Sequence, residues 1–348
     1  MARRLTITDV AQAAGVSVAT VSKVINGRDG IATATSARVL GVVQELGYES
    51  SLVARSLRSR RTHVIGILVA EFEPFSAEIL KGASSGLGDS DYELLAYTGA
   101  RQSGRAGWER RYLSRLSGTL IDGAIIVTPT VVDAYAGVPV VAIDPHTGSA
   151  ELPSVESDNL TGGLLATRHL IELGHRRIGF MAGRPDLESS RRREAGYRQA
   201  LAEAGIEVDP SLVRMSDYRR AAAHQPAIEL LSCPNRPTAV FAGNDLSAIG
   251  TMEAARGMGL DVPGDVSVIG FDDVPEAART TPPLSTVRQP IQQMGATAVQ
   301  LLIALMDGSS PETTHVRLPT SLVIRSTTAP PRSPRESWPL TRTTELGR

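Results

Sequence analysis

Apolar positions in the first fifty residues recur at the spacing of amphipathic helices. Thr6-Ile-Thr-Asp9 has the spacing of a capping box, which predicts the start of a first helix. Gly15 follows where a tight turn needs a residue that tolerates positive φ, and Ser17 can cap a second helix from Val18 to about Ile25. A third helix is predicted from about Thr35 to Leu46. Two short helices around a glycine turn, closed by a third, predict a helix-turn-helix domain.

From Thr62 onward the pattern changes to continuous apolar runs separated by helical stretches. The predicted strands are Val64–Val69, Glu93–Tyr97, Ala124–Val127, Val138–Ile143, Ile178–Met181, Ala239–Ala242 and Val266–Ile269, with a last strand pair from Val316 to Ile324. Continuous apolar strands that alternate with helices predict parallel sheets covered on both faces. The fold class is therefore an all-α helix-turn-helix domain followed by an α/β domain of two lobes, each of which resembles a lobe of a periplasmic sugar-binding protein.

Length and charge agree with this division. A chain of 348 residues is too long for one compact core. Residues 1–61 contain nine Lys or Arg and four Asp or Glu, a net charge of +5, whereas the rest contains 27 and 33, a net charge of −6. A basic head on an acidic body is typical of a module that contacts a polyanion.

Other compositional features exclude several classes of protein. The single cysteine, Cys233, excludes an internal disulfide framework and a cluster of cysteine metal ligands. No apolar run follows Arg3 and Arg4 as in an export signal, and no stretch approaches the roughly 20 apolar residues that cross a bilayer. We therefore expect a cytoplasmic protein without membrane contact.

The head carries a specific motif. The run from Ile7 to Gly27 (ITDVAQAAGVSVATVSKVING), followed by Glu45-Leu-Gly-Tyr48 and Val53-Ala-Arg-Ser-Leu57, resembles the LacI/GalR family of transcription regulators, and the similarity extends to about residue 328. The boundaries that the resemblance implies are 1–49 for the DNA-binding domain, 50–61 for a hinge helix and linker, 62–328 for a two-lobed effector-binding and dimerisation domain (lobe 1 about 62–160 and 290–328, lobe 2 about 161–289), and 329–348 for a disordered tail. The tail has no leucine heptads, so a homodimer is expected.

In this family the second helix of the head enters the major groove of DNA. The DNA-binding candidates on the head are Thr6, Ser17, Val18, Ala19, Thr20, Ser22, Lys23 and Asn26. Val18, Ala19 and Lys23 are expected at base edges, because lysine can donate to guanine and small apolar groups can contact a thymine methyl. Thr20, Ser22 and Asn26 are expected at phosphates. Most relatives carry Arg where Lys23 stands, and lysine lacks the bidentate fork of arginine.

The resemblance also assigns roles to the hinge. Leu57 matches a leucine that relatives insert into the minor groove, and Arg55 and Arg58 are placed to reach phosphates. The alternative is that Leu57 only packs within the linker.

Family members hold their ligand between the two lobes, at the carboxyl ends of the strands. The matching effector-binding candidates are Phe75, Asp144, Arg193, Tyr218, Asn244 and Asp272. Carboxylates, an amide and a guanidinium can bind sugar hydroxyls, and an aromatic ring can pack on the C–H face of a sugar. Purine-binding relatives have an arginine where Leu187 stands, which favours a sugar effector here, a mono- or disaccharide.

Structural roles remain alternatives for these residues. Arg193 and Asp272 could form a purely structural pair, Asn244 could cap a helix, and Phe75 and Tyr218 could belong to the core. We place no binding role on Asp245 or Asp273, because the second acid of each pair can cap the following segment.

The sequence therefore predicts a sequence-specific regulator, a repressor of carbohydrate-utilisation genes, that binds a near-palindromic operator as a homodimer. Relatives include both induced and co-repressed members. Two other classes stay open: a solute-binding protein that feeds a transporter, which would have no use for residues 1–61, and a sugar-acting enzyme of similar layout.

The indications of catalysis are weak. Gly82-Ala-Ser-Ser-Gly86 satisfies the G-x-S-x-G pattern, but it falls inside a predicted helix rather than after a strand. The six histidines show no metal-ligand spacing, and we see no phosphate-binding loop. We expect no enzymatic activity, no cofactor and no metal.

Overall fold

The computed structural model describes residues 5–25, 29–47, 61–99, 108–117, 119–129, 137–146 and 152–332. The chain divides into two compact units: a head of residues 1–63 with the short segment 119–121, and a body of residues 64–118 and 122–348. Each unit is described by itself.

The head contains the three predicted helices: α1 (Ile7–Ala14), α2 (Val18–Ile25) and α3 (Thr33–Leu46). The capping box at the start of α1 is present, since the Thr6 N–H donates to Asp9 Oδ2 at 2.8 Å and the Asp9 N–H donates to Thr6 Oγ1 at 3.4 Å. Gly15 ends α1 with φ 63°, as the turn requires. The cores of the three helices meet at Val10, Val21 and Val39, which are fully buried.

The body consists of strands that alternate with helices. Its strands are β1 (Val64–Val69), β2 (Glu93–Thr98), β3 (Gly123–Val127), β4 (Val140–Ile143), β5 (Ser154–Ser157), β6 (Ile178–Ala182), β7 (Val213–Met215), β8 (Ala239–Ala242), β9 (Ser267–Asp272), β10 (Ser285–Arg288), β11 (His315–Leu318) and β12 (Ser321–Val323). Its helices are α4 (Pro74–Gly86), α5 (Trp108–Leu116), α6 (Asn159–Glu172), α7 (Glu188–Glu203), α8 (Arg220–Leu231), α9 (Asp245–Gly257), α10 (Pro275–Arg279) and α11 (Ile291–Met306).

Two six-stranded sheets are formed by these strands, in the orders β11-β5-β4-β3-β1-β2 and β12-β10-β9-β8-β6-β7. All neighbouring strands are parallel except β10 and β12, which pair antiparallel. The strands β1, β3, β4, β6, β8 and β9 are buried along their whole length. The predicted two-lobed α/β fold with parallel sheets is therefore confirmed, and we call the first sheet with its helices lobe 1 and the second lobe 2.

The chain crosses between the lobes after β5, after β10 and after β11. The assignment of all of residues 290–328 to lobe 1 is wrong in its last part, and the expected last strand pair is divided between the two sheets. Val316 pairs with Val155 in the first sheet, whereas Leu322 pairs with Val287 in the second. The return to lobe 2 therefore lies between Leu318 and Ser321.

The expected tail also begins too early at residue 329. The Ala329 N–H donates to Ser267 Oγ at 3.0 Å, and His175 Nε2 lies 2.9 Å from the Ala329 carbonyl oxygen. Arg332 forms an ion pair with Asp265 at 2.9 Å. Residues 329–332 are therefore part of lobe 2, and the tail from residue 333 lies outside the described residues. No helix in the described parts of the chain is both long and apolar enough to span a bilayer.

Helices α4 and α11 approach each other backbone to backbone in lobe 1. A Cβ atom added at Gly295 would lie 2.3 Å from the carbonyl oxygen of Ile79, and one at Gly82 would lie even closer to the backbone of Gln292. Glycine is required because any side chain there would push the two helices apart. The pattern from Gly82 to Gly86 lies within α4, as predicted, and its two glycines serve this packing.

The substitution Gly295→Ala should therefore lower the free energy of unfolding by about 1–3 kcal/mol, because the obstructing atom belongs to the backbone. Gly257→Ala is the matched control: this glycine is also helical, and an added Cβ would meet nothing within 4 Å. The control should be neutral or stabilising by about 0.5–1 kcal/mol. Urea denaturation followed by circular dichroism measures both, and equal shifts for the two variants would contradict the packing argument.

Candidate functional site

A cavity of about 320 Å³ lies between the two lobes, at the carboxyl ends of their strands. All six effector-binding candidates line it: Phe75, Asp144, Arg193, Tyr218, Asn244 and Asp272. The first two belong to lobe 1 and the others to lobe 2, so the fold brings together residues that are far apart in the sequence.

Arg193 lies at the bottom of this cavity and is buried. Its Nε donates to Asn159 Oδ1 at 2.8 Å, and its Nη1 donates to the Gly243 carbonyl oxygen at 2.6 Å. Its Nη1 also lies 3.3 Å from Asp272 Oδ1, and the guanidinium lies 3.8 Å from the ring centroid of Phe271. No described residue accepts a hydrogen bond from Nη2, which leaves donors for a ligand. Arg193 and Asp272 therefore form the structural pair that was considered as an alternative, and the guanidinium of Arg193 can still donate to a ligand.

Gln289 connects the Arg193–Asp272 pair to lobe 1 through two hydrogen bonds. Its Nε2 donates to Asp272 Oδ1 at 2.6 Å, while its Oε1 accepts from Ser157 Oγ at 2.7 Å. Ser157 ends β5 and Gln289 follows β10, so both lie where the chain crosses between the lobes. The sequence analysis missed Gln289 as a cavity residue, although it ends the segment at which the return to lobe 1 was expected. It also missed Asn159, which accepts the hydrogen bond from Arg193 Nε.

The DNA-binding candidates lie on α2 and at the start of α1. Ser17 caps α2, since the Thr20 N–H donates to Ser17 Oγ at 3.1 Å. The side chains of Val18, Ala19 and Lys23 are exposed on this helix. Thr6 is engaged in the capping box, and Thr20 and Ser22 are half-buried. Asn26, Arg55, Leu57 and Arg58 lie outside the described residues.

Comparison with known proteins decides the family. The family described as "Bacterial regulatory proteins, lacI family" matches residues 6–51, and the one described as "Periplasmic binding protein-like domain" matches residues 167–328. The transcriptional regulator CelR of Thermobifida fusca is 36% identical over 339 residues, which cover 93% of this chain and 98% of CelR. The ribose operon repressor of Escherichia coli (strain K12) is 36% identical over 308 residues, 86% of this chain and 92% of that protein.

The chain belongs to the LacI family of bacterial transcription regulators.

Solved structures of LacI-family proteins have the same architecture. A complex of the regulator CelR with cellobiose is 34% identical, with a TM-score of 0.69 over 93% of this chain and 100% of that chain. The lac repressor dimer bound to operator and an anti-inducer is 28% identical, with a TM-score of 0.80 over 94% of this chain and 100% of that chain.

Two carboxyl groups in the cavity of this LacI-family protein have unusual acidities. Burial raises the pKa of Asp272 to about 7, although Arg193 and the hydrogen bond from Gln289 oppose the shift. Burial likewise raises the pKa of Asp144 to about 6, again opposed by Arg193. Desolvation of the charged form therefore outweighs the one buried guanidinium that the two acids share.

The aromatic side chains of the cavity occupy space that glycines provide. A Cβ at Gly183 would lie 2.3 Å from Cζ of Tyr218, and a Cβ at Gly99 would lie 2.3 Å from Cε3 of Trp108. The Tyr218 hydroxyl is buried near Ser190 and makes no hydrogen bond of normal geometry within the described part of the chain. Trp108, only 1% exposed, is a cavity residue that the sequence analysis missed.

Asn244 has the cap role that was left open. Its Oδ1 accepts from the Ser247 N–H at 2.9 Å at the start of α9, and its Nδ2 donates to the Tyr218 carbonyl oxygen at 3.0 Å. Asn244 therefore lines the cavity and at the same time fixes the backbone of Tyr218. Its second amide hydrogen and the second lone pair of Oδ1 are left for a ligand.

The second acid of each pair serves the fold. Asp245 accepts from the Val274 N–H at 3.0 Å and from Thr286 Oγ1 at 2.5 Å, and Asp273 pairs with Arg325 at 2.5 Å. Among the described residues, no group of three or more His, Cys, Asp or Glu is placed to hold a metal ion.

The raised pKa of Asp272 makes a prediction about stability. The unfolded chain ionises this group near its ordinary pKa of about 3.9, whereas the folded chain keeps it protonated until about pH 7. The wild type should therefore lose about 1–2 kcal/mol of stability relative to Asp272→Asn as the pH rises from 5.5 to 8, with little further change above pH 8. Urea denaturation at both pH values measures the difference, and a pH-independent difference would contradict the raised pKa.

Proposed function

We propose that this LacI-family regulator is a repressor of carbohydrate-utilisation genes, and that a mono- or disaccharide bound between the lobes controls its affinity for operator DNA. The observation that carries the proposal is the interlobe cavity, where two carboxyl groups, a guanidinium, an amide and aromatic rings converge. Such a set matches the donors, acceptors and C–H faces of a sugar. The binding of cellobiose by CelR and the name of the ribose operon repressor support a sugar as the effector class.

The proposed DNA-reading surface is α2 of the head. Its exposed Val18, Ala19 and Lys23 would contact base edges, and Thr6, Ser17, Thr20, Ser22 and Asn26 would hold phosphates around them. The backbone N–H groups at the start of a helix can also donate to a phosphate beside these side chains.

The hinge, residues 50–61, completes the proposed DNA contact. Leu57 would enter the minor groove, with Arg55 and Arg58 on the flanking phosphates. The lac repressor is a dimer on its operator, and we propose the same assembly here. Two heads would then occupy half-sites about one helical turn apart on a near-palindromic operator.

Control of DNA binding follows from a difference between two lobe arrangements. A ligand that prefers the closed arrangement, while DNA prefers the other, lowers DNA affinity by a coupling factor worth about 1–3 kcal/mol. Two side-chain hydrogen bonds, from Ser157 to Gln289 and from Gln289 to Asp272, connect the lobes beside the cavity. A ligand that binds Asp272 would therefore act directly on this connection between the lobes. The effector is bound and released without turnover, and the protein acts in the cytoplasm, where the operator is.

The decisive measurement is fluorescence anisotropy of the full chain on DNA from upstream of its own gene, at fixed salt. We expect specific binding, and release of the DNA by at least one of ribose, glucose, cellobiose or other sugars in a panel. The absence of specific binding under every condition would refute a DNA-binding regulator. Specific binding that no sugar changes would refute the proposed effector class.

The variant Asp272→Asn should keep DNA affinity within about threefold and lose the response to the releasing sugar. The amide removes an acceptor from the cavity and adds a donor beside Gln289. Asp89→Asn, an exposed carboxyl group in lobe 1, is the control and should respond like the wild type. Loss of both DNA binding and sugar response in Asp272→Asn would indicate misfolding instead, and an unchanged response would remove Asp272 from the site.

A further inference from the structure

Negative charge prevails among the side chains that line the interlobe cavity. The acidic residues are Glu71, Glu73, Asp144, Asp217 and Asp272. The basic ones are Arg184, Arg193 and Arg219. His146 adds no charge near neutral pH, because burial lowers its pKa. A ligand in this cavity therefore meets more carboxyl groups than guanidinium groups.

Each of the three arginines already has a carboxylate partner. Arg193 lies 3.3 Å from Asp272, and Arg219 Nη2 lies 2.7 Å from Glu71 Oε1. Arg184 forms a bidentate ion pair with Asp186, in which Nε donates to Oδ1 at 3.0 Å and Nη2 donates to Oδ2 at 2.5 Å. A phosphate or carboxylate on a ligand would therefore meet each of these arginines beside a carboxylate that already pairs with it, and this includes the free Nη2 of Arg193 next to Asp272.

By contrast, three of the lining acids have no ion-pair partner among the described residues: Asp217, and the two desolvated ones, Asp144 and Glu73. Asp144 is buried, and the rise of its pKa is only partly opposed by the Ser157 N–H and the side chain of Asn159. Burial raises the pKa of Glu73, and the neighbouring Glu71 raises it further. An anionic group near either residue would face like charge across a partly desolvated space. Hydroxyl groups would instead donate hydrogen bonds to both.

We infer that the effector carries no negative charge: the cavity is built for an uncharged sugar and excludes sugar phosphates and sugar acids. The inference rests on the proposed sugar-binding function and narrows it. Asp144, whose carboxyl group lies in the lobe 1 wall of the cavity, discriminates between uncharged and negatively charged ligands. Like-charge contact of this kind should weaken binding on the order of 100-fold.

The test uses matched probes on the full chain, by isothermal titration calorimetry at pH 7.5 and constant ionic strength. The pairs are glucose with glucose 6-phosphate, ribose with ribose 5-phosphate, and glucose with gluconate. At least one uncharged sugar should bind, and its charged partner should bind at least about 100-fold more weakly. A sugar phosphate or gluconate that binds as tightly as its uncharged partner overturns the inference.

A variant separates charge exclusion from simple size. Asp144→Asn keeps the shape of the side chain and removes its charge, so it should narrow the ratio between the uncharged and charged members of a pair about tenfold or more. Asp89→Asn, an exposed carboxyl group, should leave the ratio unchanged. An unchanged ratio in Asp144→Asn would show that space and not charge excludes the phosphate, and would overturn the role of Asp144.

A further arm distinguishes failure of the inference from failure of the proposed function. The thermal midpoint of the full chain is measured with inorganic phosphate or sulfate against chloride at equal ionic strength. If no sugar binds, the sugar proposal fails, whereas the charge inference stands as long as neither anion stabilises the chain. Stabilisation by phosphate that Arg193→Lys abolishes would make the cavity an anion site and overturn the inference by itself.

Discussion

The buried guanidinium of Arg193 is the constraint on which the body of this protein depends. A cation removed from water is stable only when it has partners, and Nε and Nη1 of Arg193 take theirs from several elements: the Asn159 side chain at the start of α6, the Gly243 carbonyl after β8, and Asp272 at the end of β9. Because Gln289 joins Asp272 to Ser157, the same network reaches two of the three crossings between the lobes. The bonds that shape the floor of the cavity are therefore also bonds that set how the lobes meet.

Backbone geometry points to the same place. Among the described residues, seven other than glycine have positive φ, and five of these line the cavity: Thr128, Asp144, Asp217, Tyr218 and Asp272. Conformations of this kind are unfavourable for most side chains and persist where the surroundings fix them. Their concentration at the strand ends turns the chain out of the sheet and directs polar side chains into the cleft. Strain of this distribution is typical of a binding site.

Much of this site could be predicted from the sequence, because the ends of the strands can be recognised in it. An apolar run followed by a polar residue predicts the carboxyl edge of a parallel sheet, and the resemblance to the LacI/GalR family selected Asp144, Asn244 and Asp272 among the residues at such edges. Gln289 and Asn159 could not be found in this way, because their place depends on where the chain crosses between sheets. Trp108 could not either, since nothing local distinguishes a cavity aromatic from a core aromatic.

Other differences arise from pairing that only the tertiary structure decides. The three residues of β12 are too few to show a pattern of their own, and their antiparallel partner β10 lies in lobe 2 and not in lobe 1 with β11. The composition of residues 329–332 favours disorder, yet Ser267, His175 and Asp265 supply partners for them. For Asn244 the two predicted roles, effector binding and helix capping, do not exclude each other. A helix that begins directly after a strand places its capping residue at the end of that strand, and here this strand end also forms part of the cavity wall.

The electrostatics of the cavity link these observations to the choice of ligand. Burying Asp144 and Asp272 with one shared guanidinium leaves both acids harder to ionise, as their raised pKa values show. These buried acids therefore contribute an unfavourable free energy at neutral pH that the rest of the fold must offset. Hydroxyl donors of a bound sugar relieve that free energy by hydrogen bonding to the carboxylates, whereas a phosphate would increase it. Because these hydrogen bonds come from both lobes, the ligand binds more tightly to the lobe arrangement in which both walls of the cavity contact it. Such a difference in affinity between two arrangements is what an allosteric regulator requires.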